Sequence, residues 1–389
     1  MTTPRPTARP TLRRERIASL VAAFAFSVSL GVGTITIPLL ALSAGYDAPT
    51  IGFLVATAAA LQLATRFALP WLLGRFRSRE LIALSSVMML AAFGLLFAST
   101  ALPVFVVAQL LQGSARAIFW TSSQTHAIRD QARPVERLVD LNVAGNAGTL
   151  VGPALAGLLA TLGLSVALIA ACVGALVAAI VAMTLRRLEP FDRARSAGTW
   201  RLLRRDGVDV ACWASVVGGL WWSMMGSFIP VILVRAGIDP IGIGWLVTAS
   251  EGAGTAALLL QRGIRRTRVR RAVRVAAATA LVALALMAVA PATLPAYALI
   301  LIVGGAASGT VTTLAPAMAT LVAGPQEHGD ALSLTGTFRA GALFASPAAI
   351  GALLGLVSLG GALALATLVV GVPGLLVGRS RGRTVVQTE

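Results

Sequence analysis

Residues 38–59 read PLLALSAGYDAPTIGFLVATAA, and residues 230–251 read PVILVRAGIDPIGIGWLVTASE. The two stretches are offset by 192 positions throughout and share eight of 22 residues without a gap. Because Asp, Gly and Pro are among the shared residues, the match goes beyond a common apolar composition. Each stretch places a short polar corner between two apolar segments, which predicts a helix–short loop–helix unit. The chain therefore contains an internal repeat.

The composition around the repeat is that of a membrane protein. Of 389 residues, 57% are hydrophobic and only 12% are charged, whereas a soluble domain carries roughly 25% charged residues. A membrane-spanning helix needs about 20 mostly apolar residues. Twelve segments meet this requirement: 16–42, 49–73, 80–98, 102–127, 136–160, 164–185, 208–234, 240–262, 273–290, 294–322, 329–355 and 358–378.

The distribution of charge predicts the topology. The chain has 32 basic residues, all of them Arg, and 15 acidic residues, which gives a net charge of +17. In a soluble chain this surplus would suggest nucleic-acid binding. Here Arg-rich connections alternate along the chain with connections that have almost no Arg, as the positive-inside rule requires, so we exclude nucleic acid as a partner. We expect a multi-pass protein of the bacterial cytoplasmic (plasma) membrane with both termini in the cytoplasm.

The repeat and the longest polar stretch predict the domain organisation. We expect a cytoplasmic N-tail (1–15), an N-terminal six-helix bundle (16–185), a cytoplasmic central linker (186–207), a C-terminal six-helix bundle (208–378) and a cytoplasmic C-tail (379–389). Because six spans precede the second bundle, both bundles enter the membrane in the same orientation. The predicted fold is therefore all-α, with twelve transmembrane helices in two bundles related by a pseudo-two-fold axis, an arrangement typical of secondary transporters.

Twelve spans, a 6+6 repeat and a basic central linker resemble the major facilitator superfamily. In span five, residues 148–157 read GTLVGPALAG, with Gly148, Gly152, Pro153 and Gly157. This segment is similar to the Gly-x-x-x-Gly-Pro motif of the drug–proton antiporter branch, and the resemblance implies alternating access and proton antiport. From the residues alone, the glycines also fit an ordinary seam for close helix packing, and the proline favours a bend.

Two other segments depart from the family pattern. After span two the family usually has a gating Asp, and this chain has Gly74; Arg75 and Arg79 remain, and we take these three residues as a candidate cytoplasmic gate loop. In span four the family's Arg before Leu-Leu-Gln-Gly is replaced by Gln109, and Arg116 follows seven residues later. The resemblance is therefore to a divergent member.

Ionised residues inside the membrane are costly and normally face a cavity or a partner. Glu251 is the only acidic residue deep in an apolar span. A carboxylate there can exchange a proton when its surroundings switch between open states, so Glu251 is the first candidate for proton coupling, together with Arg339 and Arg116. The alternative is that Glu251 forms a permanent structural ion pair with Arg339 or Arg116.

Polar and aromatic residues within the spans are candidates for lining a substrate cavity. They are Gln62, Arg66, Gln109, Gln112, Trp120, Asn142, Asn146, Trp221, Trp222 and Phe228. Gln109 and Gln112 share a helix face with Arg116. Alternatives remain open: Arg66 can reach the membrane interface, the asparagines can serve helix packing, and most of the aromatic cluster in span seven can face lipid.

These observations predict a secondary active transporter that exports small organic molecules, drug- or metabolite-like, by proton antiport. The alternative is an uptake or exchange transporter of the same fold for a sugar, an amino acid or an organic anion. We expect no enzymatic activity, no cofactor and no metal, because the sequence has no metal-ligand cluster, phosphate-binding loop or nucleophile–base pair. The expected partners are protons, a small-molecule substrate and the lipid bilayer, and the chain is expected to be a monomer.

Overall fold

The computed structural model describes residues 8–129, 134–190, 199–260, 268–323 and 327–376. Regular secondary structure within these ranges is entirely helical. The α-helices are α1 (Ala8–Ser43), α2 (Ala48–Arg75), α3 (Ser78–Ala98), α4 (Leu102–Arg129), α5 (Pro134–Ala160), α6 (Leu164–Ala182), α7 (Val208–Met225), α8 (Phe228–Arg235), α9 (Pro240–Leu260), α10 (Val269–Leu286), α11 (Leu294–Val322), α12 (His328–Leu353) and α13 (Leu359–Leu376). A short 3-10 helix, Thr199–Arg204, precedes α7. The prediction of an all-α polytopic membrane protein is confirmed.

The twelve predicted spans correspond to these helices, and span seven is divided between α7 and α8. Within the described residues, eight helices are long and apolar enough to cross a membrane, namely α1 to α7 and α11. The predicted tail 379–389 and part of each of the segments 1–15 and 186–207 lie outside the described residues.

The chain forms two compact units. The first comprises the described residues of Met1–Ala194 together with Gly226–Thr248, and the second those of Arg195–Met225 and Ala249–Glu389. The first unit therefore holds α1 to α6, α8 and the beginning of α9. The second holds α7, the rest of α9 and α10 to α13. The predicted boundaries of the two six-helix bundles stay predictions.

The two copies of the repeat form the same local corner. Gly45 and Gly237 adopt positive φ values of 86° and 77°, which glycine reaches without a steric penalty. The residue after each glycine donates a backbone hydrogen bond to a carbonyl near the end of the preceding helix. Tyr46 donates to Ala41 and Ile238 donates to Leu233, both at 3.0 Å. The predicted helix–short loop–helix unit is thus confirmed in both copies.

The break between α7 and α8 follows from Pro230. Proline lacks an amide hydrogen and collides with the carbonyl group four residues earlier, which belongs to Gly226. The helix stops at Met225 and restarts at Phe228. In the other copy of the repeat, Pro38 lies inside a continuous α1. The flexible Gly226 is the local difference that lets the chain open at this proline, because glycine is a poor helix former.

An aspartate caps the second helix of each copy. Asp47 Oδ1 accepts a hydrogen bond from the amide of Thr50 at 3.0 Å, and Asp239 Oδ1 accepts one from Gly242 at 3.1 Å. These bonds satisfy amide groups that have no partner within the helix. The hydrogen bonds from Thr50 also hold the pKa of Asp47 below its usual value.

We expect Asp47→Ala to lower the free energy of unfolding by about 1 kcal/mol, because it removes this cap, whereas Asp47→Asn should stay near wild type. Since the pKa of Asp47 is lowered in the folded state, its charge stabilises the fold at neutral pH, and that contribution is lost as the pH falls below about 4. The midpoint of thermal unfolding in detergent, followed by Trp fluorescence at pH 7 and at pH 4, measures both effects. Equal midpoints for Ala and Asn at pH 7 would contradict the prediction.

Candidate functional site

The predicted polar residues of spans two and four lie together in the first unit. Gly113 of α4 packs directly on the backbone of α2 at Ala58 and Gln62. One residue further along α4, the Ser114 hydroxyl accepts a hydrogen bond from Thr65 at 3.1 Å. The close approach of two backbones at Gly113 therefore places Gln62 and its neighbour Arg66, both half-buried, beside the polar face of α4.

The polar face of α4 has unused hydrogen-bonding groups. Gln109 is 3% exposed and Gln112 is fully buried. Among the described residues, neither the amide oxygen nor the amide nitrogen of Gln112 has a hydrogen-bond partner, and the same holds for Nε of Arg116. A buried polar group without a partner is costly, so native structures usually supply a side chain, a water or a ligand for it. This face is therefore suited to binding a polar molecule.

Trp120 links this face to α5. Its indole ring lies against Gly145, where a larger residue would collide with the ring. On α5, Asn142 and Asn146 are exposed. The structure thus brings the candidates from α2, α4 and α5 into one unit, and their role in lining a cavity stays a prediction.

The glycine motif of α5 contacts two different helices. Gly148 faces Phe24 and Ser27 of α1, and Gly152 faces Gly31 of the same helix. Further along, Gly157 faces Pro240 and Gly244 at the start of α9, within the same unit. Because each contact involves backbone atoms, the small side chains are required for the helices to approach this closely.

The α5 face that contacts α9 is uncovered at its other end. Asn146 precedes Gly157 by about three helical turns and therefore lies on nearly the same face. Gly157 is buried and Asn146 is exposed. Thr248 of α9 donates a hydrogen bond to the carbonyl of Leu150 at 3.1 Å, and Leu150 lies between Asn146 and Gly157 along α5. Within the first unit, the contact between α5 and the beginning of α9 therefore covers the Gly157 end of this face, and Asn146 lies beyond it.

The predicted gate-loop residues lie at the junction of α2 and α3. Gly74 is exposed, and the guanidinium group of Arg75 lies 5.8 Å from the centre of the Trp71 ring. Arg79 donates hydrogen bonds to the carbonyls of Met183 and Leu185, at 3.1 and 3.2 Å. These acceptors follow the end of α6, where carbonyls lack helical partners. Arg79 thus joins the start of α3 to the end of α6.

In the second unit, Glu251 is half-buried in α9. Its backbone carbonyl accepts a hydrogen bond from Thr255 at 3.0 Å. With the described residues of this unit, the Glu251 carboxylate forms no ion pair, and Arg339 of α12 is not its partner. Arg339 is half-buried, and its backbone carbonyl packs against Gly219 of α7. The structure therefore lacks the ion pair between Glu251 and Arg339, which the sequence analysis gave as one alternative to a role of Glu251 in proton coupling.

The aromatic candidates of span seven differ in exposure. Trp221 is 2% exposed, and its indole packs against Gly304 of α11 within the second unit. Trp222 is 38% exposed, and Phe228 is fully buried in the first unit. Of the three, Trp222 has the most accessible side chain.

One buried polar network was not predicted. His126 of α4 lies between Glu15 of α1, with 2.6 Å between Nε2 and Oε1, and Ser78 of α3, with 2.8 Å between Nδ1 and Oγ. The backbone amide of Arg186, beyond α6, donates to both oxygens of Glu15 at 3.0 and 3.2 Å. These residues are far apart in sequence and follow no periodic pattern. The only signal was the presence of His126 and Glu15 near the ends of apolar spans.

A protein-family comparison decides the class of the protein. The model of the Major Facilitator Superfamily matches residues 18–347. The chain belongs to the Major Facilitator Superfamily. Its fold, its apolar helices and this membership make it a multi-pass membrane transporter that takes a small-molecule substrate, rather than an enzyme. No curated protein matches the sequence.

Solved transporter structures resemble this superfamily member over nearly its full length. A mutant of the nucleoside transporter NupG has 12% identity, covers 93% of this chain and 99% of its own, and gives a TM-score of 0.77. A POT family transporter in complex with a thioalcohol-conjugated peptide has 11% identity, coverages of 93% and 95%, and a TM-score of 0.74. A bacterial homologue of the human lysosomal transporter Spinster, inward-facing and occupied, has 14% identity, coverages of 96% and 98%, and a TM-score of 0.71. At these identities the likeness concerns the fold alone.

Proposed function

We propose that this transporter exports small organic molecules, drug- or metabolite-like, across the bacterial cytoplasmic membrane in exchange for protons. The observation that carries the proposal is Glu251, a half-buried carboxylate in an apolar helix that forms no ion pair with the described residues of its unit. An ionisable residue within a membrane span is by default a functional candidate. A carboxylate that is not held by a cation is free to take up and release a proton as its surroundings change. Glu251 is the proposed coupling carboxylate, with Arg339 and Arg116 as the charged groups that influence it.

The proposed substrate contacts lie on the polar face of α4 and its neighbours. Gln112 offers a buried amide with no partner among the described residues, and Arg116 offers an unused Nε–H. Gln62 and Arg66 border this face from α2, and Asn142 and Asn146 are accessible on α5. These donors and acceptors suit a polar organic molecule whose orientation is fixed by a few directed hydrogen bonds.

The glycines of α5 are proposed to serve the transport cycle. Alternating access in such transporters involves rocking or gating of one helix bundle against the other. The contact of Gly157 with Gly244 has no side chain between the two backbones. Helices that meet through backbone surfaces alone can separate and rejoin without repacking large side chains. This seam therefore supports a moving contact near one end of α5.

The surplus of arginine deep in the spans favours a second candidate, uptake or exchange of an organic anion. Arg66, Arg116 and Arg339 outnumber Glu251, the only acidic residue deep in an apolar span. A cavity with excess positive charge attracts anionic substrates. The same fold would then use the arginines to bind the anion.

Transport by the purified protein in liposomes tests the proposal. With an imposed pH gradient, we expect a cationic or neutral organic compound to accumulate against its own gradient, while a trapped pH dye records proton movement in the opposite direction. Protein-free liposomes and liposomes with the gradient collapsed by an ionophore are the controls. Accumulation that persists after the collapse of the gradient would contradict proton coupling, and accumulation of organic anions alone would favour the second candidate.

A further inference from the structure

A charged cavity lies at one end of the first unit, away from the polar face of α4. It is formed by the beginnings of α1 and α5, the end of α4 and the segment that follows α6. Its charged or titratable lining residues are Glu15, Arg16, His126, Arg137, Asp140 and Arg186. Nothing in the proposed transport cycle uses this cavity.

Both acidic residues of the cavity already have partners. Glu15 accepts hydrogen bonds from His126 and from the backbone amide of Arg186. Asp140 lies 2.7 Å from a guanidinium nitrogen of Arg16. The carboxylates of the cavity are therefore committed to His126, Arg186 and Arg16.

Nη1 of Arg137 is different: it is buried, and no hydrogen-bond acceptor among the described residues contacts it. A guanidinium group can only donate hydrogen bonds. Since neither Glu15 nor Asp140 is in hydrogen-bonding contact with Nη1, a bound molecule or water can supply its acceptor. An oxyanion is the acceptor that best matches a buried guanidinium, since charge-assisted hydrogen bonds are stronger than neutral ones.

The surroundings of the cavity indicate where such an anion comes from. Leu20, Leu141 and Leu188 form its apolar lining. On α1, Ile17 and Val21 follow the lining residues Arg16 and Leu20 directly, and they are 50% and 39% exposed. Basic pockets between membrane helices at the cytoplasmic end recognise lipid head groups. A phospholipid could place its phosphate in the charged cavity and its acyl chain along the exposed apolar side chains of Ile17 and Val21.

We propose that this cavity is a phosphate-binding site in which Arg137 is the principal donor, and that it takes the head-group phosphate of an anionic phospholipid from the adjacent leaflet. The site would stabilise the association of α1, α4 and α5 at this end of the unit. Ser19, which also lines the cavity, lies about one helical turn from Arg16 and offers a hydroxyl group to the same ligand.

Lipid binding to the intact protein tests the proposal. Native mass spectrometry and thermal unfolding in detergent, with added phosphatidylglycerol, phosphatidylcholine or inorganic phosphate, compare wild type with Arg137→Gln. We expect phosphatidylglycerol to bind and to raise the unfolding midpoint of wild type, and we expect about tenfold weaker binding in the variant, as the loss of one charge-assisted hydrogen bond implies. Arg75→Gln is the matched control, because Arg75 is exposed and does not line the cavity.

The outcomes separate the possibilities. Equal lipid binding by Arg137→Gln and wild type, or an equal loss in Arg75→Gln, would overturn the site. A response of wild type to inorganic phosphate alone, absent in Arg137→Gln, would support the phosphate site and overturn the lipid as its source. If Arg137→Gln does not fold, Ser19→Leu is the alternative variant, because it keeps the guanidinium group of Arg137 and fills the cavity. Phosphatidylglycerol binding by Ser19→Leu at the wild-type level would also overturn the proposal.

Discussion

Replacement of Glu251 by Gln is expected to abolish accumulation driven by a pH gradient while leaving substrate binding intact. Gln has nearly the same shape as Glu but cannot exchange a proton. A gradient of one pH unit supplies about 1.4 kcal/mol per proton, enough for about tenfold accumulation in a one-to-one exchange. The variant should therefore equilibrate its substrate to equal concentrations on both sides. Radiolabelled uptake into liposomes measures the ratio, and equilibrium binding in detergent shows whether the site persists.

The control for this variant is Glu80→Gln. Glu80 is an exposed carboxylate in the first turn of α3, 3.9 Å from Arg77, and lies outside the deep part of the spans. Its loss should leave the accumulation ratio unchanged, since exposed ion pairs contribute little. A Glu251→Gln protein that still accumulates substrate tenfold would show that the carboxylate is structural and that coupling resides elsewhere. The membership of the chain in the Major Facilitator Superfamily would not be affected by that result.

Replacement of Gly152 by Leu is expected to prevent α1 and α5 from packing. A side chain at Gly152 would meet the backbone of Gly31 and of Val28, which cannot move aside as a flexible side chain can. Overpacking a well-packed interior costs typically 1–3 kcal/mol, and a clash with backbone lies at or beyond the upper end. We expect most of the variant to aggregate, and any folded fraction to unfold at a clearly lower temperature, as measured by size-exclusion chromatography and thermal unfolding in detergent.

Gly94→Leu is a matched control for this effect. Gly94 also lies inside a membrane helix, α3, but no atom of another described element lies near enough to meet an added carbon. Both substitutions gain the same helix propensity, about 1 kcal/mol relative to glycine. The contacts with the backbone of Val28 and Gly31 distinguish them. Similar unfolding temperatures for the two variants would refute a packing role of the α5 motif at Gly152.

Local features of the fold were largely predictable from the sequence. The repeat predicted the helix–short loop–helix unit in both copies, because the preferences of corner residues such as Gly45, Asp47, Gly237 and Asp239 act over only a few positions. The break at Gly226 was not predicted. The two copies share the proline, and the effect of Pro230 depends on the residue four positions before it, which the repeat comparison did not include.

The arrangement of polar residues across helices was less predictable. Periodicity placed Gln109, Gln112 and Arg116 on one face of α4, and the sequence could not say that Gly113 brings that face against α2. The network of Glu15, His126 and Ser78 joins three helices, and tertiary packing alone brings these residues together. Burial of Trp221 has the same origin, since it depends on Gly304 of another helix.

The corners at Gly45 and Gly237 also bear on the biosynthesis of the protein. Their hydrogen bonds join residues no more than five positions apart, so a ribosome has to release only the corner itself for the turn to form. Each corner can therefore form before the later helices of the chain exist. A nascent chain halted once α2 has left the ribosome would already contain the first of these corners.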